Sequence, residues 1–518
     1  MIGWVRRVPR GGQRPAADVA ATRPVSVNAP ADAPAAPTDA PADAGGLGWD
    51  LALYLGSALF ALFTAAGSTL APHRAWGRIA VYGYALATLA VLVQLLRLRL
   101  LQRRAGAAAL LVRGPARAAR RRERAAGMPG RAAGRRERAA GVPARVAGVP
   151  GRAAVTALAW FATTVVPLVV EATQRAGGRP DRAQEEVLVV EHAGQRLLDT
   201  GTPYLSRAAI AALPPDERLL GYLPYQPGMA LFGVPRAVFG VAWWTDARVW
   251  FGLVTAAALG VALLALRRAG AGPSALVRAA QGATVLPLCA LTLATGGDDL
   301  PVLALCLLGL ALAARAAAGG RGTAGWTGAG LAVGTAGALK LFAWPVALVL
   351  VVYAAAHARR PGSPERGPNR RAGFAFGLPA LGLPVLVLLP ALAVDPGAAG
   401  ENVLRFPLGR GLVGSPAQSP LPGHLIAAWL PGGRMIAAAL LVAAGLAIAV
   451  ALWRQPPRDA GDAARICAYG LTAAIMLLPS TRFGYLLYPV AYLLASPALR
   501  VPGSAGSRPA APRRTQGG

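Results

Sequence analysis

The stretch GTAGALKLFAWPVALVLVVY, residues 334–353, contains a single charged residue, Lys340. An apolar run of about 20 residues is long enough to cross the hydrocarbon core of a bilayer as a helix. Lys340 is also the single lysine of the chain, whose other basic residues are all arginine. A charge inside a span costs roughly 2.5–3.5 kcal/mol on insertion scales, so we expect Lys340 to reach the headgroups, to bind an anionic group, or to pair with Asp298 or Asp299.

Apolar runs of similar length recur along the chain, which has 518 residues, 55% of them hydrophobic, and a mean hydropathy of +0.45. The runs are continuous, without the alternation of a β-barrel, so the spans are predicted to be helices. The predicted fold class is all-α, a polytopic transmembrane helical bundle of about twelve spans. The spans are expected near residues 49–72, 77–101, 153–173, 248–266, 279–296, 299–317, 324–340, 341–357, 372–393, 434–454, 463–479 and 482–497.

The arginines determine the predicted topology. Net charge is +30, but many arginines lie in a basic stretch that contains the tandem duplication RRERAAGMPGRAAG and RRERAAGVPARVAG, residues 121–148. This clustering favours a topology-setting cytoplasmic loop, with anionic-lipid binding as the alternative, and argues against nucleic acid. Membrane lipid is the partner expected for the spans. Both termini are then cytoplasmic. The predicted divisions are a disordered cytoplasmic tail (1–48), two accessory transmembrane helices (49–101), a disordered basic loop (102–152), a transmembrane domain (153–497) with outer loop 174–227, and a disordered tail (498–518).

In this topology the polar groups of apolar segments converge on the outer side. They are the loop 174–227, the pair Asp298 and Asp299, Lys340, the loop 394–433, and PSTRFGYLLYP with Arg482. Residues of this kind usually face a polar cavity or a partner. The three cysteines and four histidines show no metal-ligand spacing, so neither a metal nor a cofactor is predicted.

The first outer loop carries the strongest signal for chemistry. Apolar residues at helical spacing predict an amphipathic helix over 185–198. Glu186 projects toward its apolar side, where a carboxylate suits a general base, and Glu191 lies at the edge of that face. The turns GTPY and YLPYQPG follow, and Tyr204, Tyr222, Tyr225 and Gln226 are expected to shape a pocket wall.

These motifs, followed by a lysine in an apolar helix, resemble the GT-C membrane glycosyltransferases, and more narrowly the bacterial polyprenol-phosphate-mannose-dependent mannosyltransferases. The resemblance covers about 153–497. It implies a lipid-linked sugar donor, a polyprenyl-phosphate hexose, in place of a nucleotide sugar, and an essential carboxylate in the first outer loop. Glu186 has the expected distance from Tyr204, although Val190 stands where the family has tyrosine, and Glu191 is the alternative. TGGDDLP, ENVLRFPLG and STRFGYLLYP resemble later family motifs.

The expected activity is transfer of a hexose, mannose by resemblance, to an envelope glycolipid or glycan at the outer face of the bacterial cell membrane. Such transfer needs a base for the acceptor hydroxyl and positive charge for the departing phosphate. Glu186 or Glu191 is the predicted base, and Lys340, Arg405 and Arg482 are the predicted phosphate-binding cations. A non-catalytic membrane scaffold and a secondary transporter remain alternatives, and a shared cavity for the carboxylates and Lys340 would favour the enzyme.

Overall fold

A computed structural model describes residues 44–126, 148–319, 322–356 and 370–502. These residues belong to one compact unit. The predicted tails lie almost wholly outside the described residues, as does the middle of the basic loop, residues 127–147. The second helix of the chain continues to Ala126 and so enters the stretch predicted as that loop. Arginine and alanine favour helix, which accounts for the continuation.

Seven helices within the described residues are long and apolar enough to span a bilayer, and a bent helix pair raises the number to eight. The chain is therefore a multi-pass membrane protein. The other predicted crossings are shorter or less apolar helices, so the count of twelve stays a prediction. The seven are Gly46–Gly67, Ala71–Arg104, Val149–Ala176, Ala247–Arg268, Asp299–Ala317, Arg370–Val394 and Gly433–Arg454, and the bent pair is Pro273–Thr284 with Pro287–Thr295.

The remaining elements are helical as well, which confirms the all-α prediction for the described residues. These contain no β-strand and one isolated bridge, between Gln418 and Thr481. The other α-helices are Glu185–Thr200, Arg207–Ala212, Val234–Phe239, Gly322–Leu339, Trp344–Ala356, Pro396–Gly400, Pro422–Trp429, Ala460–Leu477 and Leu487–Ala495. Short 3-10 turns are Pro180–Arg182, Pro227–Gly233, Trp243–Thr245, Leu341–Ala343 and Phe483–Leu486, and π-turns are Phe161–Val165 and Glu401–Arg405.

The apolar stretch around Lys340 forms two helices, with the break at the predicted boundary between the spans 324–340 and 341–357. The helix Gly322–Leu339 ends, Lys340 is extended with φ −154° and ψ 143°, and a helix resumes at Trp344 after one 3-10 turn. Pro345 lacks a backbone N–H, which is tolerated in the first turn of a helix and favours the restart there. Lys340 therefore lies at a helix end, beside the loops.

The loops at one end of the helices pack on one another. Glu401 accepts hydrogen bonds from Arg207 (2.8 Å) and from the Tyr222 hydroxyl (2.9 Å). The Leu223 N–H donates to the Asn402 side chain at 2.8 Å. The segments 183–227 and 401–410 therefore lie at the same end of the bundle, as the predicted convergence requires.

The helix Glu185–Thr200, called the loop helix below, confirms the helix predicted over 185–198. Two glycines let neighbouring backbone approach it closely. A Cβ on Gly233 would lie 2.1 Å from the Val190 carbonyl oxygen, and one on Gly296, whose φ is +103°, would lie 2.1 Å from Val187. The left-handed φ at Gly296 also favours glycine. The turn that carries Asp298 is thus brought against the start of the loop helix.

The first two helices, called the N-terminal hairpin, are fixed to the rest of the bundle by buried polar contacts. Arg152 donates two hydrogen bonds to Asp50, at 2.7 and 2.9 Å, and both side chains are buried. The Trp76 indole donates to the Thr163 carbonyl at 2.8 Å, and the Tyr84 hydroxyl donates to Val285. Both helices are consequently held against the bundle.

Candidate active site

Two adjoining cavities lie among the loops at this end of the bundle. Their volumes are about 360 and 660 Å³. This is in the range of about 300–1,000 Å³ usual for small-molecule sites. Both are lined by Glu186, Arg482, Tyr225, Tyr485 and Lys340, so the two spaces meet at these side chains.

Glu186 and Arg482 form an ion pair where the cavities meet. Glu186 is in the first turn of the loop helix, and its side chain is 13% exposed, against 34% for Arg482. Burial opposes the charge on Arg482, but Glu186 together with Tyr485 and Tyr225 offsets this effect, so the pKa of the guanidinium is raised. Arg482 directly follows Thr481, whose backbone bonds with Ala417 and Ser419, so a second loop fixes its position.

The first cavity is mainly apolar. Its walls include the side chains of Val189, Leu341, Phe342, Phe406, Leu471, Ala474 and Leu478. The apolar segment 228–242 does not line this cavity, and its side chains Leu231, Val238 and Phe239 are exposed.

The second cavity has a more polar wall. It includes Gln184, Thr292, Asp298, Asp299, Ser419, Thr69 and His73. Thr69 and His73 come from the N-terminal hairpin. His73 and Gln184 are within hydrogen-bonding distance through their side chains. The hairpin therefore contributes directly to this wall.

Lys340 is held by the two aspartates, which is one of the three interpretations that the sequence left open. Its Nζ lies 2.9 Å from Asp298 and 2.5 Å from Asp299, and it is buried. The Tyr488 hydroxyl donates to Asp299 at 2.9 Å, and the ammonium lies 4.8 Å from the centre of the Tyr225 ring. Two carboxylates already offset one ammonium, so Lys340 is less suited than Arg482 to receive a phosphate.

Glu191 lies in a buried ion-pair network. Arg175 donates two hydrogen bonds to it, at 2.8 and 2.6 Å, and a third to Asp246 at 2.9 Å. The Ala247 N–H also donates to Glu191, at 3.2 Å. Glu191 does not line either of the two cavities. Of the two predicted bases, the structure brings only Glu186 to Arg482.

The network continues through Arg248, which pairs with Asp246 at 2.8 Å and with Glu171 at 3.3 Å. Four residues of this network were not predicted from the sequence: Glu171, Arg175, Asp246 and Arg248. The sequence feature that could have indicated them is the presence of opposite charges near the ends of two predicted spans. These residues anchor the loop helix to the spans on either side of its loop.

The other predicted residues support the loops. Arg405 is 63% exposed, lies 3.6 Å from Glu401, and does not line either cavity. The Tyr204 hydroxyl donates to the Tyr225 carbonyl at 2.8 Å, and burial raises the pKa of Tyr204. Tyr222 lines the first cavity and accepts from the Leu412 N–H at 2.8 Å.

Gln226 ties the end of the outer loop to the helix Gly322–Leu339, because its backbone N–H donates to the Leu339 carbonyl at 3.1 Å. Two further residues were not singled out from the sequence. Glu401 binds Arg207 and Tyr222, and Tyr485 lines both cavities.

Among the described residues, no group of three or more His, Cys, Asp or Glu is arranged to hold a metal ion.

An acid and an arginine lie between an apolar and a more polar cavity within a multi-pass helical bundle, an arrangement that can bind a substrate with apolar and polar parts. The profile of glycosyltransferase family 87 matches residues 222–481, half of the chain. The chain belongs to this family and is a membrane glycosyltransferase. No curated protein and no solved structure matches it significantly. The matched range contains Lys340 and the two aspartates but begins after Glu186 and ends one residue before Arg482.

Proposed function

We propose that this protein transfers a hexose, with mannose as the expected sugar, from a polyprenyl-phosphate carrier to an envelope glycolipid or glycan at the outer face of the bacterial cell membrane. In this proposal the fold is of the GT-C type, with twelve crossings and both termini in the cytoplasm. The observation that carries the proposal is the Glu186–Arg482 pair, which lines both cavities. Membership of glycosyltransferase family 87 supports the reaction class.

The first cavity suits the donor. Its apolar side chains can hold the start of a polyprenyl chain, since burying apolar surface is favourable by about 25 cal/mol per Å². Arg482 stands at its polar end and is partly exposed. A guanidinium binds phosphate through two parallel hydrogen bonds, so Arg482 is the proposed phosphate ligand.

Glu186 is the proposed general base. It takes the proton of the acceptor hydroxyl while that oxygen attacks the anomeric carbon of the donor sugar. The bond between the anomeric carbon and the phosphate oxygen breaks, and its electron pair stays on the phosphate. Arg482 stabilises the negative charge that develops there.

The ion pair links binding to activation. A donor phosphate competes with Glu186 for the Arg482 guanidinium. When the phosphate takes the guanidinium, the carboxylate loses its hydrogen-bond partner and can accept the proton of an acceptor hydroxyl. The base is therefore freed only when a donor is in place.

The test is transfer by the purified full-length protein in liposomes. The donors to compare are a radiolabelled polyprenyl-phosphate hexose and the nucleotide derivative of the same hexose. We expect product from the lipid-linked donor and none from the nucleotide sugar. Transfer from the nucleotide sugar alone, or transfer that survives in Glu186→Gln, would overturn the proposal.

A further inference from the structure

We propose that the second cavity binds the neutral sugar group of the acceptor, and that the turn of the N-terminal hairpin completes this acceptor site. The inference rests on the proposed function and extends it to the second substrate. The N-terminal hairpin and the rest of the bundle both contribute residues to the wall of the cavity. Thr69, Leu70 and His73 belong to the hairpin, whereas Thr292 and Asp298 belong to the bundle.

The position of the cavity suits an acceptor. Glu186 lines both cavities, so a hydroxyl in the second can approach the same carboxylate that faces a donor in the first. A transferase needs this arrangement, because nucleophile and leaving group must lie on opposite sides of the reacting carbon when the displacement is in line. The volume of about 660 Å³ leaves room for a sugar and the start of its aglycone.

The charge of the wall selects the chemical class of the ligand. Glu185, Glu186, Asp298 and Asp299 supply four carboxylates, against the two cations Lys340 and Arg482. An anionic headgroup would be repelled, whereas sugar hydroxyls donate hydrogen bonds to carboxylates. Asp298 adds a specific acceptor, because its Oδ2 is buried without a hydrogen-bond partner among the described residues. A buried acceptor without a donor costs about 1–3 kcal/mol, so a ligand hydroxyl there would be favoured.

The hairpin side of the wall is held in place. The Gln184 N–H donates to the Thr295 carbonyl at 3.0 Å, and the Gln184 side chain contacts the His73 ring. Trp76, one turn after His73, is fully buried and bonded to Thr163. The turn lies outside the range matched by family 87.

The kinetic test uses n-octyl α-D-mannoside as the acceptor probe, with n-octyl phosphate as an anionic competitor. We expect His73→Ala and Gln184→Ala to raise the KM for the octyl mannoside about tenfold, with the KM for the donor unchanged. Octyl phosphate should not compete with the mannoside. His424→Ala is the matched control, because His424 contacts the Pro479 carbonyl and does not line either cavity. Unchanged acceptor KM values, or an equal rise in donor KM, would overturn the acceptor site.

A binding test separates this inference from the proposed function. An octyl mannoside with a diazirine on its alkyl chain is photolysed with the full-length protein without any donor. We expect labelling of the peptide containing residues 69–73, and its loss with excess octyl mannoside. Absence of this label overturns the acceptor site even if transfer occurs, whereas labelling without transfer overturns the proposed reaction and leaves the sugar site intact.

Discussion

Glu186 and Glu191 are five residues apart on the loop helix, and each is paired with an arginine, yet their surroundings differ. Glu186 pairs with a partly exposed Arg482 where two cavities meet. Glu191 is bound by Arg175 and by the Ala247 N–H inside a buried network. A buried pair is costly to break because one charge is left uncompensated, whereas an accessible pair contributes little and can exchange partners. The same residue types therefore serve chemistry at one position and structure at the other.

The largest effect is expected for Glu186→Gln. Loss of a general base lowers a rate typically by about 10²–10⁴-fold. Transfer should fall by such a factor, with a smaller loss of melting temperature than in Glu191→Gln, because the Glu186–Arg482 pair is less buried than the network around Glu191. Asp199→Asn is the matched control, since Asp199 is exposed on the same helix and bonds only to Gln195 among the contacts described. A Glu186→Gln variant with the normal rate would remove the distinction between the two glutamates.

The ion pair of Lys340 with Asp298 and Asp299 extends the comparison to a third site. The substitution Lys340→Met leaves the two aspartates buried without their cation, and breaking a buried pair costs about 3–5 kcal/mol. Thermal unfolding should show a large loss of stability. The double variant Lys340→Met with Asp298→Asn should recover part of it, because one buried charge is removed. Full stability of the single variant would show that the ammonium is not needed to compensate the aspartates.

Glu191→Gln should mainly affect stability. Glutamine keeps the shape but leaves the Arg175 charge paired only with Asp246, so we expect a loss that approaches about 3 kcal/mol. The transfer rate per folded molecule should stay within about twofold of the normal value. If the rate collapses while the melting temperature holds, Glu191 and not Glu186 is the base.

The smallest effect is expected for Arg482→Lys. Lysine keeps the charge but lacks the fork that binds phosphate through two hydrogen bonds, so the KM for the donor should rise about tenfold, or about 1.4 kcal/mol. The matched change Arg175→Lys should lower the melting temperature and leave the donor KM unaltered. A donor KM that responds to Arg175→Lys and not to Arg482→Lys would reverse the two assignments.

Much of the local structure follows from the residue pattern. The helical period of 185–198, the break at Lys340 and the apolar spans appear in the sequence because they depend on neighbouring residues. The partner of Lys340 was limited to a few possibilities by the cost of a buried charge. The assignment of Glu186 over Glu191 could not be made in this way, because both lie near the same face of one helix.

The sequence by itself determined that this chain is a helical membrane protein, where its apolar stretches break, and which polar residues gather near one end of the bundle. Only the tertiary structure decided that Arg482 pairs with Glu186, that Arg175 pairs with Glu191, and that the N-terminal hairpin lines part of the second cavity. The physical reason is the range of the interactions. Helix formation and insertion into a bilayer depend on local composition, whereas the pairing of charges 296 positions apart depends on which helices become neighbours.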